Sequence, residues 1–325
     1  MARTQQDTPA GISAKAAESG WRRSFPEHKE KPLVKKIAVI THGWSEATNT
    51  AFRQILDLCR ELSVEVVIPE REAEKSGIAA ELQLAAVVPT LTDADVDFCV
   101  ALGGDGTILR AFSRFRQMGT PVLGVNFGRM GFLSALAPED IPAGLKQVLE
   151  GQFSLLELTM LELVQGGACS LAVNDVVLNK PAAGSVVRLG YAVGGVEMDT
   201  VSCDGMVAAT PAGSTAYNLS NGGPFMSLGM EAFILSAIAP HTLRFRPLVL
   251  GSLQKLWITN RSLSAEVGIC VDGRECSHLP AGERLGIAIS ERKARLVRVP
   301  GSDFHRTLRD KFIRPSAQEA PGVAD

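Results

Sequence analysis

A chain of 325 residues, 46% of them hydrophobic, carries enough apolar material for a core in each of two domains. Its formal net charge of −2 gives no bulk electrostatic reason to expect a nucleic-acid or anionic-membrane partner. No stretch reaches the roughly 18 uninterrupted apolar residues of a membrane span, and six scattered cysteines without C-x-x-C spacing signal neither a zinc ribbon nor a redox motif.

Residues 1–34 read as a polar, disordered leader that lacks the apolar block of a secretory signal. Asp7, Glu18 and Glu27 count against an organelle transit peptide, and the expected compartment is the cytosol. Cys59, Cys99, Cys169, Cys203, Cys270 and Cys276 then read as small buried apolar residues in a reducing compartment.

From about Lys35 two periods alternate. "KKIAVITHG" is a short apolar strand, and Ala51, Phe52, Ile55, Leu56, Cys59 and Leu62 recur after it at helical spacing. "VEVVIP", "FCVALGG" and "PVLGVNF" are further strands, with helices expected at 79–88 and 107–118. Strands alternating with helices predict an α/β domain over 35–150 with a parallel, Rossmann-like sheet, whose ligands sit beyond the carboxyl ends of the strands. "APEDIPAGLKQVLEG" closes it as one helix capped by Gly151.

Over 151–300 the character changes to strand-like runs separated by Gly, Asn and Pro turns: "FSLLELTMLELV", "SLAVNDVVLN", "VVRLGYAVGG", "FILSAIAP", "RPLVLG", "LQKLWITN", "SAEVGICVDG" and "RLGIAISERKARLVRV". These predict an all-β, sandwich-like second domain. Over 301–325, "SDFHRTLRDKF" reads as a helix opening at Ser302, with Phe304, Leu308 and Phe312 packing back on the first domain, followed by a tail.

Chemistry concentrates in two places. In "GGDGT", Gly103, Gly104 and Gly106 let the backbone turn and approach a ligand, and a helix begins at Thr107 with free N–H groups that favour an anion. Neither G-x-x-x-x-G-K-[ST] nor G-x-G-x-x-G occurs, which argues against a P-loop or a standard dinucleotide fold. Asp105 in this loop would repel a phosphate charge 4 Å away by roughly 4 kcal/mol at an effective dielectric of about 20. A divalent metal, or a hydroxyl donating its hydrogen bond to the carboxylate, offsets that repulsion. The second place is "CDGMVAATPAGSTAYNLSNGGP", where Asp204, Thr210, Ser214, Thr215, Tyr217, Asn218, Ser220 and Asn221 crowd among glycines. Such a density of hydroxyls and amides suits ribose, amide or phosphate groups, and Tyr217 can stack on a base; a polar loop between strands is the plain alternative. "NDVVLN" at Asn174 and Asp175 is a strand entered through a turn or a third polar site.

Taken in order, "GGDGT", "ND" at 174–175 and "DGMVAATPAGSTAY" resemble the motifs of the ATP-dependent NAD kinases, and the resemblance extends to "GVNFGRMGFL", "PHTLRFRPLVL" and "VDGRE". It implies phosphorylation of the 2′-hydroxyl of the adenosine ribose of NAD to give NADP, with Mg²⁺ and with ATP, or inorganic polyphosphate, as donor. It also implies dimers or tetramers with the β regions in contact. Carried over by motif, Asp105 would engage the hydroxyl, and Gly103, Gly104, Gly106 and Thr107 would approach the donor phosphates. Asn174 and Asp175 would hold the adenine and ribose side of NAD, and Asp204 the nicotinamide-side ribose. Thr215, Ala216 and Tyr217, with Ser220 nearby, would line the adenine pocket. Arg110 would reach phosphate, Phe132 would close on the dinucleotide, and Arg274 would make a polar contact. Ala212 departs from the Thr or Ser that the family usually has there, which leaves the preference between NAD and NADH open; His241 and Arg246 read as structural. Rival readings are a lipid kinase of the sphingosine or diacylglycerol type, which shares only the first motif, and a module that senses NADP(H) without turnover.

Overall fold

The computed structural model describes residues 34–74, 85–89, 91, 96–115, 119–128, 131–165, 168–181, 185–300 and 304–313. The expected leader lies, apart from Val34, outside them.

Short apolar runs make the first sheet, buried through its centre and exposed at the edge strand Ala86–Val88. Strands β1 (Lys36–Thr41), β2 (Glu65–Pro69), β3 (Ala86–Val88), β4 (Phe98–Leu102) and β5 (Val122–Val125) pair in parallel in the order β3-β2-β1-β4-β5. Burial on both faces explains why β4, β5 and, past their first residues, β1 and β2 are largely apolar rather than alternating. Helix α1 (Glu46–Glu61) starts at a capping box in which Ser45 Oγ accepts from Thr48 N–H and Thr48 Oγ1 accepts from Ser45 N–H. It packs with α4 (Ile141–Leu149) on one face, against Ile37, Val39, Phe98 and Val100. Between them in the chain come a one-turn helix α2 (Glu70–Ala73) and α3 (Asp105–Phe115); α3 buries Ile108, Ala111, Phe112 and Phe115 on the other face with Ala38, Ile40, Cys99 and Ala101. The strand order reverses between β1 and β4, so the crevice of a doubly wound sheet falls where Thr41 and the Gly103 loop end their strands.

The second half is antiparallel. Its strands are β6 (Ser154–Gln165), β7 (Ala168–Ala172), β8 (Asp175–Asn179), β9 (Val187–Val193), β10 (Val196–Cys203), β11 (Gly205–Ala209), β12 (Ala232–Ile238), β13 (Leu248–Gly251), β14 (Leu256–Asn260), β15 (Val267–Val271), β16 (Arg274–Leu279) and β17 (Arg284–Arg298). Six of them form a sheet in the order β13-β12-β11-β8-β15-β16, and β10-β9-β14-β17 continue the parallel sheet past β5, with β6 paired to β17 and β7. Leu161, Leu178, Leu189, Met206, Phe233, Leu235, Ile258, Ile269 and Leu285 fill one core. The result is an α/β half with a parallel sheet and a sandwich-like antiparallel half.

One long strand joins the two. Leu296 of β17 pairs in parallel with Val122 of β5, while the same strand runs antiparallel to β6 and β14. Two extra residues bulge out of β17 where the register with β6 shifts between Ile289 and Lys293. Beyond the bulge Ala294 and Leu296 enter the α3-side core, while Val297 and Val299 enter the α1-side core.

Four expectations change. The helix expected at 79–88 gives way to β3 over Ala86–Val88, where Val87 and Val88 suit an edge strand pairing with β2; 79–84 lie outside the described residues. "SLAVNDVVLN" is not one strand: the chain breaks at Asn174, and β7 and β8 belong to different sheets. Strand β11 lies inside the stretch read as a polar loop, because Met206 to Ala209 are buried between β8 and β12. The helix α3 begins at Asp105, two residues before the expected Thr107.

Candidate active site

Helix α3 leaves the crevice end of β4, and its first residue is the acid of the glycine loop. Asp105 Oδ2 accepts the backbone N–H of Phe132 at 2.8 Å, and Oδ1 accepts that of Leu133 at 3.2 Å. Gly131 makes this approach possible, because a Cβ there would stand 1.9 Å from Asp105 Oδ1. The carboxylate is therefore held by a backbone clamp, and each of its oxygens keeps lone-pair capacity beyond its one bond. Gly104 and Gly106 are exposed beside it. Thr107, expected near phosphate, is instead 3% exposed, with its N–H bonded to Gly104 O at 2.8 Å.

One turn along α3, Leu109 lines a pocket of about 390 Å³ together with Asn174, Asp175, Ala216, Tyr217 and Asp272. Residues four apart on a helix share a face, so Asp105 begins the face of α3 on which Leu109 meets this pocket, without itself lining it. Asn174 Oδ1 is buried without a hydrogen-bond partner, an acceptor awaiting a donor. Tyr217, 41% exposed, opens a helical turn, α5 (Tyr217–Ser220), and offers its ring. Asp175 is 5% exposed; burial first, and the charge of Asp272 second, push its carboxyl up to about 7.

Asp272 lines the same pocket. It sits in the left-handed region (φ 48°) at the turn between β15 and β16, next to Gly273. Its carboxylate accepts the N–H groups of Val173 (3.0 Å), Asn174 (2.7 Å) and Asp175 (3.2 Å). The sequence reading missed it: the Asp-Gly pair signals a hairpin turn, but nothing local reveals that the carboxylate reaches a segment so far away in the chain. Arg274, chosen there instead, is exposed on β16.

The polar segment after β11 largely satisfies itself. Thr210 Oγ1 donates to Val173 O at 2.6 Å and accepts Gly213 N–H; Ser214 Oγ donates to Pro211 O at 2.7 Å and accepts Met226 N–H; Asn218 Nδ2 donates to Ser214 O and Pro224 O. Thr215 Oγ1 donates to Ala212 O at 3.2 Å. These bonds shape the loop that presents Ala216 and Tyr217 to the pocket. Gly213 lets it press on Asn174, whose carbonyl oxygen would stand 2.1 Å from a Cβ at that position.

Other expected site residues lie elsewhere. Asp204 pairs with Lys180 at 2.8 Å, and Ser220 is exposed at the end of α5. Arg110 turns to the crevice, donating to Thr41 O and pairing with Glu72 Oε1 at 3.2 Å. Phe132 packs not on the pocket but on the C-terminal segment, through Phe304 and Phe312. Ala212, 6% exposed, is packed into the α3-side core. Arg246 donates to Leu243 O and Phe245 O, and His241 N–H donates to Ser202 O.

Comparison with known proteins bears on this arrangement. The family model for the ATP-NAD kinase N-terminal domain matches residues 37–153, and that for the ATP-NAD kinase C-terminal domain matches 173–299. A NAD kinase from Moorella thermoacetica is 34% identical over 292 residues, covering 87% of this chain and 86% of that one. A NAD kinase from Rhodopirellula baltica is 38% identical over 227 residues, 68% of this chain and 73% of its own. Among solved structures, yeast NADH kinase complexed with NADH superposes with a TM-score of 0.77 at 25% identity, over 86% of this chain and 87% of that one. An NAD kinase from Archaeoglobus fulgidus in complex with ATP gives 0.66 at 26% identity, over 85% and 97%.

Proposed function

This chain belongs to the ATP-NAD kinase family and its activity is that of a NAD kinase, and we propose that the pocket beside α3 takes the adenosine ribose of NAD while the glycine loop takes the triphosphate of ATP. The observation that carries this reading is the placement of Asp105: a clamped carboxylate at a helix N-terminus, four residues from Leu109 in the pocket wall.

In the reaction the 2′-oxygen attacks the γ-phosphorus, the bond to the β-phosphate bridging oxygen breaks, ADP leaves, and the hydroxyl proton passes to Asp105. An ordinary carboxylate is a weak base toward an alcohol. A loose phosphoryl-transfer transition state demands little nucleophile activation, so Asp105 orients the hydroxyl and accepts its proton late. The helix N-terminus and loop amides favour the donor's negative charge. Asn174 Oδ1 suits an amino or hydroxyl donor of the adenosine, and Tyr217 suits its base. Among the described residues no group of three or more His, Cys, Asp or Glu could hold a metal alone. Asp105 together with donor phosphate oxygens would hold Mg²⁺, an ion that takes few protein ligands, and the ion would supply charge neutralisation at the donor phosphates.

Dimers or tetramers through the β regions belong to the same reading, supported by exposed Val196 and Met198 on the edge strand β10. Among the described residues no helix is long and apolar enough to cross a membrane, and the free thiols of Cys59, Cys99, Cys203, Cys270 and Cys276 suit the cytosol.

A coupled assay for NADP formation, with ATP or polyphosphate against NAD or NADH, tests the reading. Asp105→Asn should lower kcat by about 10²- to 10⁴-fold while NAD still binds. Unchanged turnover in that variant overturns the assignment.

A further inference from the structure

The clamp on Asp105 is itself held from outside. Phe132, whose N–H bonds Asp105 Oδ2, is 8% exposed, and its ring is covered by the C-terminal segment that follows β17. Phe304 of α6 (Phe304–Leu308) stands 5.6 Å from it, centroid to centroid. Phe312 stacks on it at 6.0 Å with an interplanar angle of 6°, and Lys311 Nζ lies 4.5 Å over the same ring. The same segment grips the second half of the molecule, since Phe312 also packs on Phe225 at 5.1 Å and His305 Nε2 lies 3.3 Å from Ser227 Oγ. Phe225 and Ser227 follow directly on the loop that presents Ala216 and Tyr217 to the pocket.

We propose that the C-terminal segment is a strap that positions the catalytic carboxylate: Phe304, Lys311 and Phe312 fix Phe132, and Phe132 fixes Asp105 through its backbone N–H. The inference rests on the reading of Asp105 as the group that engages the sugar hydroxyl. Its physical basis is that the clamp is made of backbone amides in a glycine-containing turn, which has no side-chain bond of its own to Asp105. Ser134 Oγ accepts the Gly131 N–H at 3.1 Å and Leu133 is buried in the α3-side core, so the packing of the Phe132 ring is the contact from outside this turn that sets where the Phe132 amide points. The ring's partners are weak singly, each aromatic pair or cation–π contact being worth on the order of 1 kcal/mol. The strap also ties the hydroxyl-engaging acid to the nucleotide-binding loop on the opposite half, so one packed cluster sets the distance between them.

Phe312 is the residue to change, because at 47% exposed it can be trimmed without opening a core. In the full-length enzyme, Phe312→Ala should lower kcat by about 10- to 100-fold, the scale on which misplacement of a catalytic group acts. The KM values for NAD and ATP should stay within about two-fold on the same argument. Phe312→Tyr should restore kcat, since it keeps the stacked face. Hydrogen exchange at the amides of Phe132 and Leu133 should accelerate in Phe312→Ala while those of β4 and β5 hold. The proposal is overturned if kcat is unchanged, or if it falls with both KM values raised and β4 and β5 exchanging faster, which is general loosening. Asp105→Asn is assayed beside it: full activity there sinks the catalytic reading, whereas inactivity with an unaffected Phe312→Ala sinks the strap alone.

Discussion

The carboxylate of Asp272 lies 98 residues along the chain from Asn174 yet accepts its backbone N–H at 2.7 Å, and it takes the amides on either side as well. A hairpin turn of one sheet edge thereby fixes the residue that opens β8 in the pocket wall. Asp272→Ala leaves those three N–H groups without their acceptor and places Ala at φ 48°. A loss of about 3 kcal/mol follows from orphaned buried donors and a left-handed non-glycine residue. Asp272→Asn tolerates that backbone and keeps one acceptor, so it should lose markedly less. Urea unfolding of both variants measures the difference.

Asp175 carries a pH signature. Its folded carboxyl titrates at about 7, against an unfolded value near 3.8, because burial and then Asp272 disfavour the charge. The folded state therefore binds the extra proton, and its contribution to stability is full below about pH 4 and is lost as pH rises through about 7. Asp175→Asn should flatten the fall in Tm across that interval. Thermal melts at half-unit steps from pH 4 to 8 would show it, and an unaltered slope would remove Asp175 as the source.

Two glycines separate activity from stability. At Gly131 an added methyl meets the Asp105 side chain, which can swing away, so Gly131→Ala should cut kcat steeply while stability falls by about 1 kcal/mol or less. At Gly213 the methyl meets the Asn174 carbonyl, which is backbone, and Gly213→Ala should cost about 3 kcal/mol or more, since overpacked backbone has little room to give. Parallel unfolding and turnover measurements on the two variants should show opposite patterns.

Glu72 is 1% exposed, and one of its oxygens, Oε2, has no hydrogen-bond partner, while the other pairs with Arg110, an ion pair at the crevice between β1 and β4. Removing one partner of such a pair leaves a charge poorly solvated. Glu72→Ala should cost about 3 kcal/mol, the low end for a broken buried pair because Arg110 keeps some exposure. Glu72→Met combined with Arg110→Met should regain much of that loss. Chemical denaturation of single and double variants completes the cycle.

The sequence made the parallel half readable because its strands are continuous apolar runs with helical spacing between them, and "GGDGT" declared a loop at the end of β4. Asn174, Asp175 and Tyr217 were likewise visible as polar or aromatic residues at breaks in strand pattern, Ala216 entered only through the family motif, and the structure brings all four into one pocket. Local pattern could not show which of the clustered hydroxyls face a ligand. Thr210, Ser214 and Asn218 look like binding groups in one dimension and act as loop braces in three. The roles of Asp272, Glu72 and Phe132 depend on partners in distant parts of the chain, and no window of sequence contains both members of those contacts.

Strand β17 and the residue after it carry Leu296, Val297 and Val299 into the two cores that flank the parallel sheet. Each buried aliphatic side chain of this kind contributes roughly 1.5–3 kcal/mol. During vectorial synthesis the first 150 residues emerge long before these three, so a nascent amino-terminal half has gaps on both sides of its sheet. It can become fully packed only after translation has nearly finished, and a ribosome stalled midway would display a sticky, incomplete intermediate rather than a finished module.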